Sequence, residues 1–285
     1  MGAWYEETFD GKVRVAFKFQ RTLLSKRSPF QTIEVFETDA FGRALALDGL
    51  MMTSERDEFY YHEMLVHPPM AIAPSRERVL VIGGGDGGTV REILRHGDVK
   101  SVTMVEIDGE VVAACRELLP SIASCFDHPK LDLRIEDGIR YVAACPPESF
   151  DLILLDGSDP VGPAEGLFNR SFYENVRRAL KPRGIFALQS ESPILQRRVF
   201  LEVQNTLQSV FGAVRPYFGV VPIYGASLWS WTVATRESVM PPLDASVFTA
   251  FEDQLQLVNA EFAAAAFAVP TYLRRLLPSP AAPQR

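Results

Sequence analysis

Two carboxylates, Asp156 and Asp159, follow an apolar segment over residues 152–155, and acids at this spacing could take up a proton or bind a cation. The apolar segment is typical of a buried parallel strand, and the Gly- and Pro-rich residues 157–163 end it. In open α/β sheets, ligands bind in the crevice beyond the carboxyl ends of such strands. We therefore expect Asp156 and Asp159 to line a cleft, with a helix cap or a turn as the alternative role.

A glycine-rich turn upstream has the pattern of a nucleotide site. Residues 79–82 form an apolar strand, residues 83–88 read Gly-Gly-Gly-Asp-Gly-Gly, and a helical pattern follows over residues 89–97. Glycines such as Gly83 and Gly85 let a ligand approach the backbone closely, and the start of a helix offers unpaired amides.

Three acidic residues indicate what kind of ligand this turn binds. Glu106, at the end of the next strand, lies about twenty residues beyond the glycines, where a carboxylate meets ribose hydroxyls. Asp86 argues against a pyrophosphate, because like charges ~4 Å apart repel by roughly 1 kcal/mol in water and ~4 kcal/mol at an effective dielectric constant of 20. A nucleoside that carries a sulfonium or ammonium group fits better. Asp137, after a third strand, is placed to accept a hydrogen bond from an adenine amino group, although acids at strand ends are also common helix caps.

These acids can meet only if their strands lie side by side in one sheet. The alternation of strands and helices from about residue 55 predicts an α/β fold with a doubly wound, Rossmann-like sheet of the methyltransferase type. Period-two patterns nearer the N-terminus predict a small antiparallel β domain, and residues 229–235 predict a final antiparallel edge strand. The predicted boundaries are residues 1–54 for the N-terminal β domain, 55–275 for the Rossmann-like catalytic domain and 276–285 for a disordered tail.

The motifs around Asp86, Glu106, Asp137 and residues 156–165 together resemble the signature set of the spermidine synthase (polyamine aminopropyltransferase) family. Further stretches match that family in place and order: residues 31–36, 47–64, 221–224 and 265–273. The resemblance covers most of the chain. It implies transfer of an aminopropyl group from decarboxylated S-adenosylmethionine, a cosubstrate, to a primary amine, with release of methylthioadenosine and without a resident cofactor.

The resemblance also implies a role for each matching residue. An alkylammonium has a pKa near ~10, so the reaction needs a base, and Asp156 matches the family's catalytic acid residue. Tyr61 would hold the attacking amine, Asp159 would anchor its distal cation, and Tyr224 would line the acceptor tunnel. Asp86 would bind the amino group of the aminopropyl arm and exclude ordinary S-adenosylmethionine, which carries a carboxylate there. The implied cosubstrate residues are Gln31, His62, Gly83, Gly85, Asp86, Glu106, Asp137 and Gly138.

Two departures from the family pattern lie near the expected acceptor pocket. Gly157 replaces the usual Ser, Thr or Cys, and Ile223 replaces a Thr and is expected to make the pocket wall more apolar. Glu191 is expected to face this pocket or, alternatively, solvent. Putrescine is the favoured acceptor, with cadaverine, agmatine, spermidine or another diamine as alternatives, since one or two methylenes change binding by only ~1 to 3 kcal/mol. Residues 162–168 are predicted to form a lid over the site, or else a rigid surface loop.

The composition and charge of the chain indicate which classes of partner it binds. The net charge of -7, with no basic stripe, argues against nucleic acid and suits a cationic di- or polyamine. The three cysteines have no paired or metal-like spacing and the four histidines are scattered, so we expect free thiols and no metal site. The acidic start of the chain and the lack of a long apolar run predict a cytoplasmic protein that does not associate with membranes. Strand edges in the N-terminal domain that need covering predict a homo-oligomer, and the family resemblance implies a homodimer or homotetramer.

Two other functions use the same sequence features. A methyltransferase that uses intact S-adenosylmethionine would share the glycine turn and Glu106, but it leaves Asp86 and the Asp156/Asp159 pair without a purpose. A non-catalytic polyamine-binding protein would leave Asp156 and Tyr61 unused. The reaction products distinguish the three possibilities.

Overall fold

The computed structural model describes residues 3–9, 11–159 and 162–277, apart from the side chains of residues 162 and 163. The N-terminal part is a five-stranded antiparallel sheet whose strands follow each other in chain order. Its strands are β1 (Ala3–Phe9), β2 (Val13–Arg27), β3 (Thr32–Thr38), β4 (Gly42–Leu47) and β5 (Leu50–Ser54). The antiparallel β domain is therefore confirmed, with β1 and β5 as strands that the sequence analysis did not predict.

A second sheet of seven strands forms the larger part of the molecule, in the order β11-β12-β10-β9-β6-β7-β8. Strands β10, β9, β6, β7 and β8 are parallel neighbours, whereas β12 runs antiparallel to both β10 and β11. This confirms the Rossmann-like fold. The strands are β6 (Arg78–Gly83), β7 (Ser101–Glu106), β8 (Leu131–Ile135), β9 (Phe150–Asp156), β10 (Leu180–Gln189), β11 (Ala213–Val220) and β12 (Leu228–Thr235).

The prediction of an edge strand at residues 229–235 was wrong, because β12 lies between β10 and β11. Its hydroxyl residues are buried instead of facing water: Ser230 bonds to Ser190, and Thr232 bonds to Ser190 and Gln204. The edge strand is β11, which contains Pro216, a residue compatible with an edge because proline donates no ladder hydrogen bond.

Helices cover both faces of the seven-stranded sheet. The helices are α1 (Glu58–Ile72), α2 (Gly88–Ile93), α3 (Gly109–Leu118), α4 (Gly138–Ala144), α5 (Arg170–Ala179), α6 (Arg197–Gln208), α7 (Ala260–Ala266) and α8 (Thr271–Arg274). Helix α1 is buried almost all round, since it packs on the sheet, on α2 and on the C-terminal segment. One apolar core runs through both sheets, from Ile33 and Leu45 to Val81 and Trp231.

The two sheets place the candidate site. Strands β7 and β9 flank β6 on opposite sides, so the chain order reverses at β6, and ligands bind at such a switch point. The carboxyl ends of these three strands carry Gly83, Glu106 and Asp156, and the N-terminal sheet closes over them. The predicted domain boundaries stay predictions, and residues 278–285 of the predicted disordered tail lie outside the described residues.

Candidate active site

A cavity lies beyond the carboxyl ends of β6, β7 and β9, and a smaller one adjoins it toward β1. The first cavity is lined by all the predicted site residues except Asp159: Gln31, Tyr61, His62, Gly83, Gly85, Asp86, Glu106, Asp137, Gly138, Asp156 and Tyr224. The smaller cavity is lined by Asp159, Glu7 and Trp229. Tyr61 and Tyr224 line both, so the two cavities form one elongated site.

Asp156 lines the larger cavity, next to Tyr61 and Gly157, which line both cavities. The Tyr61 hydroxyl donates to its Oδ1 at 2.9 Å, and the Thr89 hydroxyl donates to its Oδ2 at 2.7 Å. Burial and the nearby charge of Asp86 raise the pKa of the Asp156 carboxyl, although His62, Thr89 and Tyr61 favour its ionised form. A fixed carboxylate with a raised pKa is suited to accept a proton.

The glycine turn brings β6 against β9. Gly83 has φ +81°, and a Cβ there would lie 2.2 Å from the carbonyl oxygen of Asp156, so no other residue fits without movement of the backbone. The amide of Gly84 donates to that same carbonyl at 2.9 Å. These contacts fix the position of Asp156 relative to the turn.

Asp86 presents its carboxylate from this turn. The Gly88 amide donates to Oδ1 at 2.9 Å, and His62 Nε2 lies 3.3 Å from Oδ2. Burial opposes ionisation of Asp86, but His62 and the Gly88 amide outweigh it and hold the pKa below its usual value. For His62, burial favours the neutral ring, but Asp86 and Glu58 outweigh it and raise the pKa well above its usual value. The pair therefore carries one negative and one positive charge.

Three more predicted residues lie on the nucleoside side of the cavity. Glu106 accepts from the Asp108 amide at 2.8 Å, and burial raises its pKa to about 7. Asp137 caps α4 by accepting hydrogen bonds from the amides of residues 139 and 140, as the alternative role predicted. It also lines the cavity. Gln31 donates to Asp108 Oδ2 at 3.0 Å, which ties the N-terminal sheet to the turn after β7.

Three carboxyls lie at or beside the smaller cavity, of which Glu7 and Glu191 are buried and Asp159 is partly buried. Asp159 accepts from Gln196 Nε2 at 3.0 Å, and Glu7 accepts from the Met51 amide at 3.2 Å. Glu191 is fully buried beside Asp159, so the solvent-facing alternative was wrong; its Oε2 receives no hydrogen bond within the described part of the chain.

Within the described residues, the protein supplies no counter-charge to these three carboxyls. No Lys, Arg or His among the described residues forms an ion pair with Glu7, Asp159 or Glu191. Burial is the main cause of a raised pKa at each: about 7 for Glu7, above the usual value for Asp159 and well above it for Glu191. Glu7 is a residue that the sequence analysis missed. In the sequence, Glu7 alternates with Tyr5 and Phe9, a period-two pattern that could have placed Glu7 on the inward face of a strand but not in the site.

The two departures from the family pattern have different surroundings. Gly157 lines both cavities, and a Cβ there would meet only Leu155 and Leu167 at ordinary contact distance. The expected apolar wall at Ile223 was wrong: its side chain is buried in the core, while the neighbouring Tyr224 faces the cavity and donates to the carbonyl of Met52 at 2.6 Å. A Thr-to-Ile change at 223 therefore does not reach the ligand directly.

Two other predictions stay open. His62, Asp86 and Asp156 each offer a ligand atom within 4.8 Å of the others, a spacing that a cation could bridge, so the lack of a metal requirement stays a prediction. Residues Gly162–Phe168 form a 3₁₀ helix whose Leu167 lines the larger cavity, and its action as a lid also stays a prediction.

Comparison with known proteins follows the same division of the chain. Residues 58–244 match the spermine/spermidine synthase domain, and residues 3–55 match the spermidine synthase tetramerisation domain. The chain is 49% identical over 233 residues to the polyamine aminopropyltransferase of Prochlorococcus marinus, covering 81% of this chain and 80% of that protein. It is 39% identical over 279 residues to the polyamine aminopropyltransferase of Moorella thermoacetica, covering 98% of each.

A solved structure shares the architecture. The crystal structure of a spermidine synthase in complex with the transition state analogue AdoDATO superposes with a TM-score of 0.92 at 36% identity, covering 96% of this chain and 94% of that one. Within the described residues, no helix has both the length and the apolar character needed to cross a membrane.

Proposed function

The chain belongs to the spermine/spermidine synthase family and is a polyamine aminopropyltransferase, and we propose that it transfers the aminopropyl group of decarboxylated S-adenosylmethionine to putrescine. The observation that carries this proposal is the position of Asp156 in the cavity that suits a nucleoside cation, bonded to Tyr61, which also lines the smaller cavity that suits an amine. Spermidine and methylthioadenosine are the expected products.

The reaction is a displacement at carbon. The amine nitrogen forms a bond to the aminopropyl carbon next to sulfur, the carbon–sulfur bond breaks, and its electron pair neutralises the sulfonium. The attacking nitrogen must lose a proton, and Asp156 is the group that we assign to accept it. Tyr61 holds Oδ1 and Thr89 holds Oδ2, so the carboxylate is oriented before the amine arrives.

The cosubstrate is assigned to the glycine-turn end. We assign Asp86 to the ammonium of the aminopropyl arm, Glu106 to the ribose hydroxyls and Asp137 to the adenine amino group. The complex of the related spermidine synthase with AdoDATO supports a site of this kind in the shared fold. Ordinary S-adenosylmethionine would place its carboxylate against Asp86, which supports preference for the decarboxylated form.

The acceptor is assigned to the end with the unbalanced carboxyls. A diamine has one nitrogen that reacts and one that stays an ammonium, and Asp159 with Glu191 and Glu7 can balance that second charge. The aromatic rings of Tyr224 and Trp229 lie 4.7 Å apart by centroid and line this part of the site, where they suit a methylene chain and a cation.

Assembly is the second part of the proposal. The match of residues 3–55 to a tetramerisation domain supports a homo-oligomer, and we propose a homotetramer over the homodimer. Trp4 on β1 and Val13 on β2 leave apolar surface exposed on this sheet, 60% and 41% of each residue. Light scattering coupled to size-exclusion chromatography tests this directly, since the chain mass is 31.8 kDa.

An assay of methylthioadenosine release from decarboxylated S-adenosylmethionine across a panel of amines tests the reaction. We expect turnover with putrescine above cadaverine, agmatine and spermidine. A different preferred amine would change the acceptor and keep the reaction. Formation of a methylated amine with S-adenosylhomocysteine from ordinary S-adenosylmethionine would support a methyltransferase instead, and ligand binding without any turnover would support a polyamine-binding protein.

A further inference from the structure

Behind Asp86, a row of charged groups of alternating sign runs away from the cavity; Glu58 and His62 in this row are buried, and Asp86 and Arg91 are partly buried. Glu58 and His62 lie one turn apart on α1, and His62 Nδ1 is 2.5 Å from Glu58 Oε2. Arg91 on α2 donates through Nη2 to both oxygens of Glu58, each at 2.8 Å. Together, Asp86, His62, Glu58 and Arg91 form what we call the charge row.

The charge row is built into the packing of two helices. A Cβ at Gly88 would lie 2.2 Å from His62 Cε1, so the start of α2 leaves room for the imidazole only because residue 88 is glycine. Arg91 is held in turn by Glu92, which accepts from Arg91 Nε at 2.8 Å. Glu58 itself does not line either cavity, and neither does Arg91.

The charged groups at the outer end of the row also have hydrogen-bond partners. Glu92 accepts from Arg95 Nε at 2.6 Å and lies 3.2 Å from His67 Nε2, whose Nδ1 is 3.0 Å from His96 Nε2. His67 and His96, which lie 29 residues apart in the sequence, are thus in contact. Every charge of the row thus has an opposite charge beside it.

The row determines which atoms His62 offers. Glu58 accepts a hydrogen from Nδ1, and Asp86 faces Nε2, so both ring nitrogens point at carboxylate oxygens. Loss of Glu58 would let the ring take either neutral tautomer or turn, and Asp86 would lose a fixed donor on Oδ2. A buried carboxylate without such a donor takes up a proton or reorients, and then it no longer presents a charge to a ligand.

From this geometry we infer that Glu58 and Arg91 are positioning residues for the cosubstrate: they hold His62 against Asp86, so that Asp86 faces the ammonium of the aminopropyl arm as a fixed carboxylate. The inference rests on the proposed function for the identity of the ammonium. Neither residue touches the ligand, so their effect must pass through His62 and Asp86.

Two ligands separate this role from a general structural one. Decarboxylated S-adenosylmethionine carries the aminopropyl ammonium, whereas methylthioadenosine fills the nucleoside part of the site and lacks that group. In Glu58→Gln, we expect the Kd of decarboxylated S-adenosylmethionine to rise about tenfold to a hundredfold and that of methylthioadenosine to stay within about twofold, by calorimetry. The KM of the cosubstrate should rise by a similar factor while kcat at saturation falls less.

Matched variants guard against a folding defect. Arg91→Lys keeps the charge but cannot contact Glu58 and Glu92 through two separate nitrogens, so we expect a smaller loss than in Arg91→Met. The double variant Glu58→Gln/Arg91→Met removes both charges, so neither is left without its partner. It should therefore be more stable than a variant that removes only one of the two charges, yet it should still bind the cosubstrate weakly. Asp151→Asn, in a buried ion pair with Lys181 at the other end of β9, is the control that should leave the Kd ratio of the two ligands unchanged.

The outcomes distinguish a failure of the positioning role from a failure of the proposed function. Equal weakening of both ligands in Glu58→Gln, or recovery of cosubstrate affinity in the double variant, would overturn the positioning role. If the wild type binds decarboxylated S-adenosylmethionine no better than methylthioadenosine and releases no product with any amine, the proposed function fails, whatever the variants do.

Discussion

The two ends of the cavity treat buried carboxylates differently. At the glycine-turn end, Asp86 faces His62, and Glu58 faces both His62 and Arg91, so the protein supplies the balancing charge. At the other end, Asp159 and its neighbouring acids have no basic partner within the described residues. The pKa of Asp86 is accordingly lowered, and that of Asp159 is raised.

This difference indicates what each end requires of its ligand. A carboxylate that the protein already balances has a fixed position and a constant charge, which suits recognition of one group on a defined cosubstrate. Carboxyls without a counter-charge are costly to ionise when buried, and a cationic ligand removes that cost. The amine end should therefore respond to pH and to removal of single acids, whereas recognition of the aminopropyl arm by Asp86 should depend on geometry.

Loss of the base between the two ends should have the largest effect. In Asp156→Asn we expect kcat to fall by about a hundredfold to ten-thousandfold, the range for a positioned general base, while the Kd of methylthioadenosine changes little. Steady-state rates and calorimetry measure the two quantities. A variant with more than about a tenth of the wild-type kcat would assign the base to another group.

Removal of the charge at Asp86 comes next. In the wild type, decarboxylated S-adenosylmethionine should bind much more tightly than ordinary S-adenosylmethionine, because Asp86 attracts an ammonium and repels a carboxylate. In Asp86→Asn we expect the decarboxylated compound to bind about tenfold to a hundredfold more weakly and the ordinary compound to bind equally well or better. Competition binding checks this, and an unchanged preference would show that Asp86 is not the discriminating residue.

The sequence predicts the two ends unequally. Acids at strand ends, the glycine turn and the alternation of strands and helices are local signals, and the structure brings Asp86, Glu106 and Asp156 together as they predict. Glu7 reaches the site only because β1 pairs with β2 and their sheet closes over the larger domain. Glu58 and Arg91 meet only through the packing of α1 on α2. Contacts of this kind depend on distant pairing, which a single sequence pattern does not encode.

Strand β12 also depends on contacts with residues that are distant in the sequence. Ser and Thr alternate there with apolar residues, a pattern typical of a half-exposed strand. Partners far along the chain, such as Gln204 Nε2 at 2.7 Å from Thr232, satisfy these hydroxyls and allow the strand to be buried on both faces.

The pH dependence of acceptor binding should separate the two ends further. Because the pKa of Glu7 is raised from 4.5 to about 7, the charged form gains population as pH rises from 6 to 8, and cation binding should strengthen over that range. We expect the KM of the diamine to fall about threefold to tenfold. Asp86 is already ionised and adds no pH dependence to the KM of the cosubstrate, so any change in that KM over this range would come from Glu106, whose pKa is also raised to about 7. In Glu7→Gln the slope for the diamine should flatten. A slope that persists unchanged in Glu7→Gln would exclude Glu7 as its source.

The smallest expected effect is on stability, where an acid that favours ligand binding is expected to weaken the fold. A carboxyl whose folded pKa is raised favours the folded state below its unfolded pKa, and this contribution is lost as pH rises toward the folded pKa. Glu191, fully buried beside Asp159, has its pKa raised well above 4.5 by burial and then by that neighbour, so its presence weakens the fold at neutral and alkaline pH.

In Glu191→Gln we therefore expect the thermal midpoint to rise by about 2 °C at pH 8, for a gain on the order of 1 kcal/mol, with a smaller gain at pH 5. The KM of the diamine should rise at the same time, because one acid that balances its distal ammonium is lost. Gln196→Leu, which removes the amide that donates to Asp159, is the matched control and should lower the midpoint. Calorimetric scans at the two pH values check the sign, and a midpoint that falls in Glu191→Gln at pH 8 would mean that Glu191 stabilises the fold and is not held there for its ligand.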